Sequence, residues 1–387
     1  MERWDLLIRG GELIDPSQRL RGRRDLAIHK GRIAAVEPNI PAASAARVIS
    51  AGGLMVLPGL VDMHAHVYER GAAFGLSADT LAPLTGTTTF VDAGTAGAGN
   101  FDGLQRWVIG GAKSRVFAFV NISRIGLAGM PVGELLNLNY ADVDAAAQVV
   151  ADHRDVVLGV KVRQGRALVG DNGLEPLRRA IAAAERSGTR ARVMCHIGDV
   201  PASLSELLDL LRPGDILTHV YSGAGNNVVQ NGRVLPAALA AKARGVIIDV
   251  GHGGASFDYT IAQPAIEQGL VPDTIGADLH SDSIKTRGKP YLPWVMSKLM
   301  TLGLTLEQVV AMTTVNPARV IDRVPGLGTL QVGAPGDVTI VKMVEKPVVL
   351  EDAVGHGRNS GSYLCPVETI RGGQSLGRRD PALFPYP

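Results

Sequence analysis

Two histidines one residue apart, His64 and His66, close the run Leu57-Pro-Gly-Leu-Val-Asp-Met-His-Ala-His66. Side chains of an extended strand alternate with period two, so both imidazoles leave one face and can chelate a single metal ion. Ring nitrogens reach zinc at about 2.0–2.1 Å. A lone His-x-His is weak evidence, because packed histidines give the same pattern. The case grows further along the chain, where other donors end apolar runs. His196 closes Arg192-Val-Met-Cys-His, His219 sits in Ile216-Leu-Thr-His-Val, and Asp278 ends Thr274-Ile-Gly-Ala-Asp. Four histidines and an aspartate so placed fit metal-assisted hydrolysis better than core packing.

Lys161 stands in Val156-Val-Leu-Gly-Val-Lys-Val162, which otherwise reads as a buried strand. Snorkelling or a salt bridge is the ordinary account of such a lysine. Beside metal ions, a buried amine can instead take up carbon dioxide and become a carbamate. Its two oxygens could bridge two ions about 3.5–4 Å apart, and the surrounding donors favour this reading. Arg163 shares the face of Lys161 and falls at the strand's rim. It could hold a substrate carboxylate in a two-pronged contact, or form a rim salt bridge. Tyr221 and His280 lie two residues beyond His219 and Asp278; either could donate to a scissile carbonyl or orient a ligand. His252, in Gly251-His-Gly-Gly254, is a substrate contact or a solvated side chain. Cys195 alternates away from the interior and reads as a small buried hydrophobe. His29, His153 and His356 fall outside this face and are given no role.

These donors need a scaffold that brings several strand ends to one mouth. Strand patterns recur at 60–66, 87–92, 116–122, 156–162, 191–196, 215–221, 245–250 and 274–278, with helical patterns between them such as 173–187, 201–211 and 306–319. Eight strands, each followed by a crossover, predict an α/β protein with a TIM-like (β/α)8 barrel whose catalytic groups gather at the C-terminal face. No Gly-x-Gly-x-x-Gly follows the first strand, which weighs against an open doubly wound sheet. Both ends of the chain carry hairpin signals without helices. Residues 1–56 and 323–374 are therefore expected to pair as a small discontinuous β-sandwich around a barrel of residues 57–322, with 375–387 as a tail.

Bulk properties narrow the function classes. At 387 residues the chain has room for a barrel and an accessory domain, and 46% apolar with 20% charged residues suits a large core. A formal net charge of +2 and only 4% aromatics argue against nucleic acid as a partner. No apolar run approaches the ~20 residues of a membrane span, and the N-terminus has no apolar leader segment. Two cysteines give no disulfide framework. A cytoplasmic enzyme acting on a small molecule is expected; a homo-oligomer is left open.

From end to end the chain resembles the amidohydrolase superfamily. The resemblance rests on Leu57-Pro-Gly-Leu-Val-Asp-Met-His-Ala-His66, Lys161, His196, His219, Asp278, Asn316-Pro-Ala and Gly333-Ala-Pro-Gly-Asp-Val338. The order of donors is similar to the binuclear subtype. It implies two divalent ions, zinc foremost. His64, His66, Lys161 and Asp278 would hold one ion, and carbamylated Lys161, His196 and His219 the other. It also implies that Asp278 is the general base, taking the proton of a metal-bridging hydroxide. Dihydroorotase-like sequences usually carry an arginine two residues after the histidine pair, where this chain has Tyr68. D-aminoacylases use a cysteine ligand that neither Cys195 nor Cys365 supplies. Adenosine-deaminase-like members lack the bridging lysine. Gly159-Val-Lys-Val-Arg163 and Thr218-His-Val-Tyr221 look closest to the dihydroorotase-like deacetylase group, which acts on N-acetyl-amino acids or acetylated α-hydroxy acids. The implied substrate is a small carboxylate that meets Arg163. Cyclic-amide hydrolysis is the alternative, and a non-catalytic barrel scaffold the second.

Overall fold

Strands form at both ends of the chain, where apolar residues alternate between glycine and proline turns. The computed structural model describes residues 4–128 and 132–385 and joins these ends in one sheet. The first five strands are β1 (Trp4–Asp15), β2 (Leu20–His29), β3 (Arg32–Glu37), β4 (Ala45–Ser50) and β5 (Met55–Pro58). The barrel contributes β6 (Leu60–Ala65), β7 (Thr87–Gly97), β8 (Arg115–Asn121), β9 (Val157–Gln164), β10 (Arg192–Ile197) and β11 (Ile216–Thr218). A short hairpin, β12 (Val229–Gln230) and β13 (Arg233–Val234), precedes β14 (Ile247–Ile248). Last come β15 (Val338–Glu351), β16 (Gly357–Arg371) and β17 (Gln374–Arg378), which runs from the end of the expected β region into the stretch read as a tail.

The terminal sheet has the order β17-β16-β15-β5-β1-β2-β3, with β4 beside β1. Its seam is β5, antiparallel to β15 with Val56 opposite Ile340, and parallel to β1. Leu6, Ile8, Leu13, Ile28, Val56, Ile340 and Ile370 give this unit a core of its own.

The second sheet is parallel, and β6, β7, β8, β9, β10, β11 and β14 lie side by side in chain order. Its curl closes through residues 274–279. The expected eighth strand is not a regular strand. Thr274 bridges Asp249 on one edge, and Leu279 bridges Ala65 on the other. Across this closure the Asp278 N–H donates to the His64 carbonyl at 2.6 Å, and the His66 N–H to Leu279 at 2.9 Å. Asp278 takes a left-handed φ of 51°, which ends any extended run there. The helix expected over 306–319 is also divided, into Leu306–Met312 and Val315–Ile321. Pro317 is the cause, because its ring would meet the Thr313 carbonyl in a continuous helix. Thr313 instead accepts the Val61 N–H at 2.8 Å and ties the break to β6. Met63, Val91, Phe117, Phe119, Met194 and Ile216, with Ile321 and Leu327, form the apolar cluster beneath the mouth.

Candidate metal centre

Strand ends deliver the candidate donors to one cavity of about 250 Å³. His64, His66, Lys161, Arg163, His196, His219, Asp278 and His280 line it, with Phe74, Leu127 and Ala255 as apolar wall. The donor atoms converge. His64 Nε2 and His66 Nε2 stand 3.3 and 3.2 Å from Asp278 Oδ1, and Lys161 Nζ lies 3.3 Å from His64 Nε2. The His219 ring packs 4.9 Å from His64 and 4.3 Å from His196, centroid to centroid. Gly94 makes room for the lysine: at φ 81° a methyl there would sit 2.4 Å from Lys161 Cβ.

Three imidazoles are held at the outer nitrogen. His64 Nδ1 meets Thr218 Oγ1 at 2.9 Å, and that hydroxyl donates to Asp249 Oδ2 at 2.7 Å. His66 Nδ1 meets Thr95 Oγ1 at 2.8 Å, and that hydroxyl donates to Asp92 Oδ2 at 2.7 Å. His219 Nδ1 faces the Gly251 carbonyl at 2.7 Å. A hydroxyl whose proton is given to a carboxylate must accept from the ring, and a backbone carbonyl can only accept, so Nδ1 carries the hydrogen in each case. Nε2 then presents a lone pair to the cavity, as a metal ligand must.

The charges agree with this chemistry. Burial, with Lys161 nearby, holds His64 well below the usual imidazole range, and burial brings His219 to about 4, so both rings are neutral. Burial pushes the Asp278 carboxyl up, but the polar groups gathered around it outweigh that and keep it well below the usual range. Burial lowers the Lys161 amine to about 8. A cavity gathering neutral imidazoles, an ionised carboxylate and an easily deprotonated amine fits divalent cations of the zinc type.

Not every candidate from the sequence reaches the cavity. Tyr221 is fully buried and donates to the Leu270 carbonyl at 2.8 Å, away from it. The period-two count failed because β11 ends at Thr218 and His219 turns to φ 66°. His252 is also fully buried, 2.7 Å from Lys298 Nζ, so it neither lines the cavity nor meets solvent. Arg163 does line the cavity, while its Nη1 pairs with Glu134 Oε2 at 3.2 Å. Asn121 in turn donates to Glu134 Oε1 at 3.1 Å. His280 Nδ1 accepts the backbone N–H groups of Asp282 and Ser283 at 3.4 and 3.3 Å, which leaves Nε2 as a donor. Sequence reasoning missed Asp92, Thr95, Thr218, Asp249 and Glu134. Asp92 and Asp249 carried a usable signal, since they are carboxylates at the ends of strand patterns.

No family model matches the chain. It is 33% identical to a deacetylase of Agrobacterium fabrum, over 89% of this chain and 84% of that one. It is 31% identical to a deacetylase of Enterococcus faecalis, over 96% and 98%. Dihydroorotases are more distant, as with that of Solibacter usitatus at 27% over 95% of each chain. Two crystal structures, described as an adenine deaminase and a dihydroorotase, each superpose with a TM-score of 0.89. Their identities are 30% and 29%, over 97% of this chain and 100% and 99% of theirs. Fold and relatives together define a hydrolase of the amidohydrolase type. The chain belongs to the deacetylase group of the amidohydrolase superfamily.

Proposed function

We propose that the protein is a binuclear, zinc-dependent deacetylase that hydrolyses the acyl amide or ester bond of a small carboxylate. The substrate class is N-acetyl-amino acids or O-acetyl-α-hydroxy acids. One observation carries this reading: anchored imidazoles turn Nε2 toward Asp278 and Lys161 in a small cavity whose rim holds an arginine. His64, His66, Lys161 and Asp278 would hold one ion, and Lys161, His196 and His219 the other. Bound there, the ions would lower the pKa of water and polarise the acyl carbonyl. The lysine amine attacks carbon dioxide and sheds a proton to give the carbamate; its lowered pKa supplies free amine near neutrality. Two buried cysteine thiols, Cys195 and Cys365, suit the reducing cytoplasm. Among the described residues no helix is long and apolar enough to cross a membrane.

The chain's own groups divide the work. Asp278, held ionised, accepts the proton of the attacking water and returns it to the leaving nitrogen or oxygen. His280 Nε2–H faces the cavity and orients the acyl oxygen. Arg163, held from behind by Glu134, meets the substrate carboxylate. Phe74, Leu127 and Ala255 exclude water around the acyl group. Tyr68 occupies the place of the dihydroorotase arginine. It donates to the Asn100 carbonyl at 3.2 Å and does not line the cavity, which favours deacetylation over cyclic-amide hydrolysis.

The test is a panel of N-acetyl-L-, N-acetyl-D- and O-acetyl acids, with dihydroorotate beside them, on zinc-loaded protein in bicarbonate. Deacetylation exceeding ring opening is expected; the reverse, or active protein without a divalent ion, overturns the proposal. Arg163→Met should cost ~2–4 kcal/mol in kcat/KM on acids and spare an uncharged acetyl ester. Equal losses on both would remove the carboxylate from the reading.

A further inference from the structure

Residues 251–256 shape the metal centre from behind and above. The Gly251 carbonyl faces His219 Nδ1 at 2.7 Å. Gly253, at φ 52°, leaves no space for a side chain: a methyl there would lie 2.3 Å from Asp278 Oδ2. Gly254, Ala255 and Ser256 line the cavity. One backbone segment therefore touches two candidate ligands and the substrate space. A segment so rich in glycine has little side-chain packing to fix it.

Its one large side chain before Phe257 is His252, which turns away from the cavity into the protein. The ring stacks on Phe257 with centroids 4.8 Å apart and planes at 17°. Its Nδ1 bonds the Gly253 carbonyl at 2.8 Å, so Nε2 accepts from Lys298 Nζ at 2.7 Å. Lys298 extends from the helix Leu292–Met300, is fully buried, and also donates to the Gly288 carbonyl. A buried amine is costly unless its hydrogen bonds reward it. An apolar side chain would fill this space more cheaply, so the hydrogen bonds give the reason for a lysine here.

We propose that Lys298 and His252 are positioning residues, a buried hydrogen-bonded anchor that sets the 251–256 backbone and through it His219 and Asp278. The inference rests on the metal reading above but not on any substrate. Outer partners of metal ligands are worth ~10–100-fold in metal affinity or activity, and this pair acts one step further out through the Gly251 carbonyl.

Four proteins test it: wild type, Lys298→Met, His252→Phe and the double variant. Zinc affinity of each chelator-stripped protein is measured by competition with a chromophoric chelator, beside melting temperature and kcat. His252→Phe alone leaves the amine without its ring partner and should melt lower. The double variant replaces the pair by apolar groups of similar volume and should regain the wild-type melting temperature. The anchor predicts that the double variant nevertheless binds zinc at least about tenfold more weakly and keeps a lowered kcat. Recovery of zinc affinity and kcat along with stability would show a pair that merely fills the core, and would overturn the proposal. So would single variants that fold and bind zinc as wild type does. A wild-type protein that binds no zinc would overturn the metal reading itself, an outcome separable because it precedes any substitution.

Discussion

Thr95 has one task that its methyl cannot share: its hydroxyl accepts from His66 Nδ1 and donates to Asp92. Thr95→Val keeps the shape and removes that link, so zinc affinity should fall ~10–100-fold, and the melting temperature should drop modestly because the buried His66 Nδ1–H loses its acceptor. Competition with a chelating dye checks the first outcome and a thermal melt the second; undiminished affinity would show that His66 needs no outer partner. Gly94 makes a second case. Gly94→Ala would place a methyl against the Lys161 stem in a backbone conformation that disfavours it, and kcat should drop at least about tenfold, with bicarbonate giving no rescue. At this scale the donors were legible because strand periodicity decides which way a side chain points. It misled at Tyr221, where a left-handed His219 ends the strand, and it gave no guidance at His252, which lies in a glycine loop beyond β14. Glu134 was invisible for another reason. It lies beyond the end of β8, and nothing in its neighbours marks it as the partner of Arg163.

Elements are placed by clasps as much as by core. Asp15, the last residue of β1, accepts from Ser17 and Gln18 nearby and from Thr329 and the Leu330 N–H some 315 residues on. Burial pushes this carboxyl up, and the hydrogen bonds from Ser17, Gln18, Leu330 and Thr329 bring it below its ordinary value. A carboxyl lowered in the folded state contributes stability above its unfolded pKa, near ~3.9, and loses it as pH falls through the folded value. Asp15→Ala should therefore cost about 2–3 kcal/mol at pH 7, read from urea unfolding, and the gap to wild type should shrink below about pH 4. A gap that stays constant with pH would mean that the loss is one of packing. Such clasps explain what sequence could and could not tell about the elements. The pairing of the two termini followed from β patterning at both ends, since neither end can bury its apolar face alone. The break at Thr313 was readable from Pro317, but the apolar periodicity across it spoke for one helix. The closing segment 274–279 had a strand's composition, and only the turn at Asp278 shows why it pairs by isolated bridges.

At the scale of the whole molecule, the candidate ligands cross the line along which the barrel closes. His64 and His66 end its first strand, and Asp278 belongs to the closing segment. The two sides share hydrogen bonds from Asp278 N–H to His64 and from His66 N–H to Leu279, but no regular strand ladder. Ions held by His64, His66 and Asp278 would staple this line, as a disulfide staples a loop. Binding to the folded state alone adds RT ln(1 + [L]/Kd), about 4 kcal/mol when free zinc is 1,000 times Kd. Stripping zinc should lower the melting temperature by several degrees, and re-addition should restore it. The more discriminating readout is local. Amide exchange at His66, His252 and Asp278, whose N–H groups bond across or beside the closure, should speed up in the stripped protein. Amides of the terminal sheet, such as those of β1 paired with β2, should change only as far as global stability does. Uniform change throughout would make the ions a general stabiliser with no special place in the barrel. Loss of protection confined to the closure would show that the residues proposed for catalysis also hold the barrel shut.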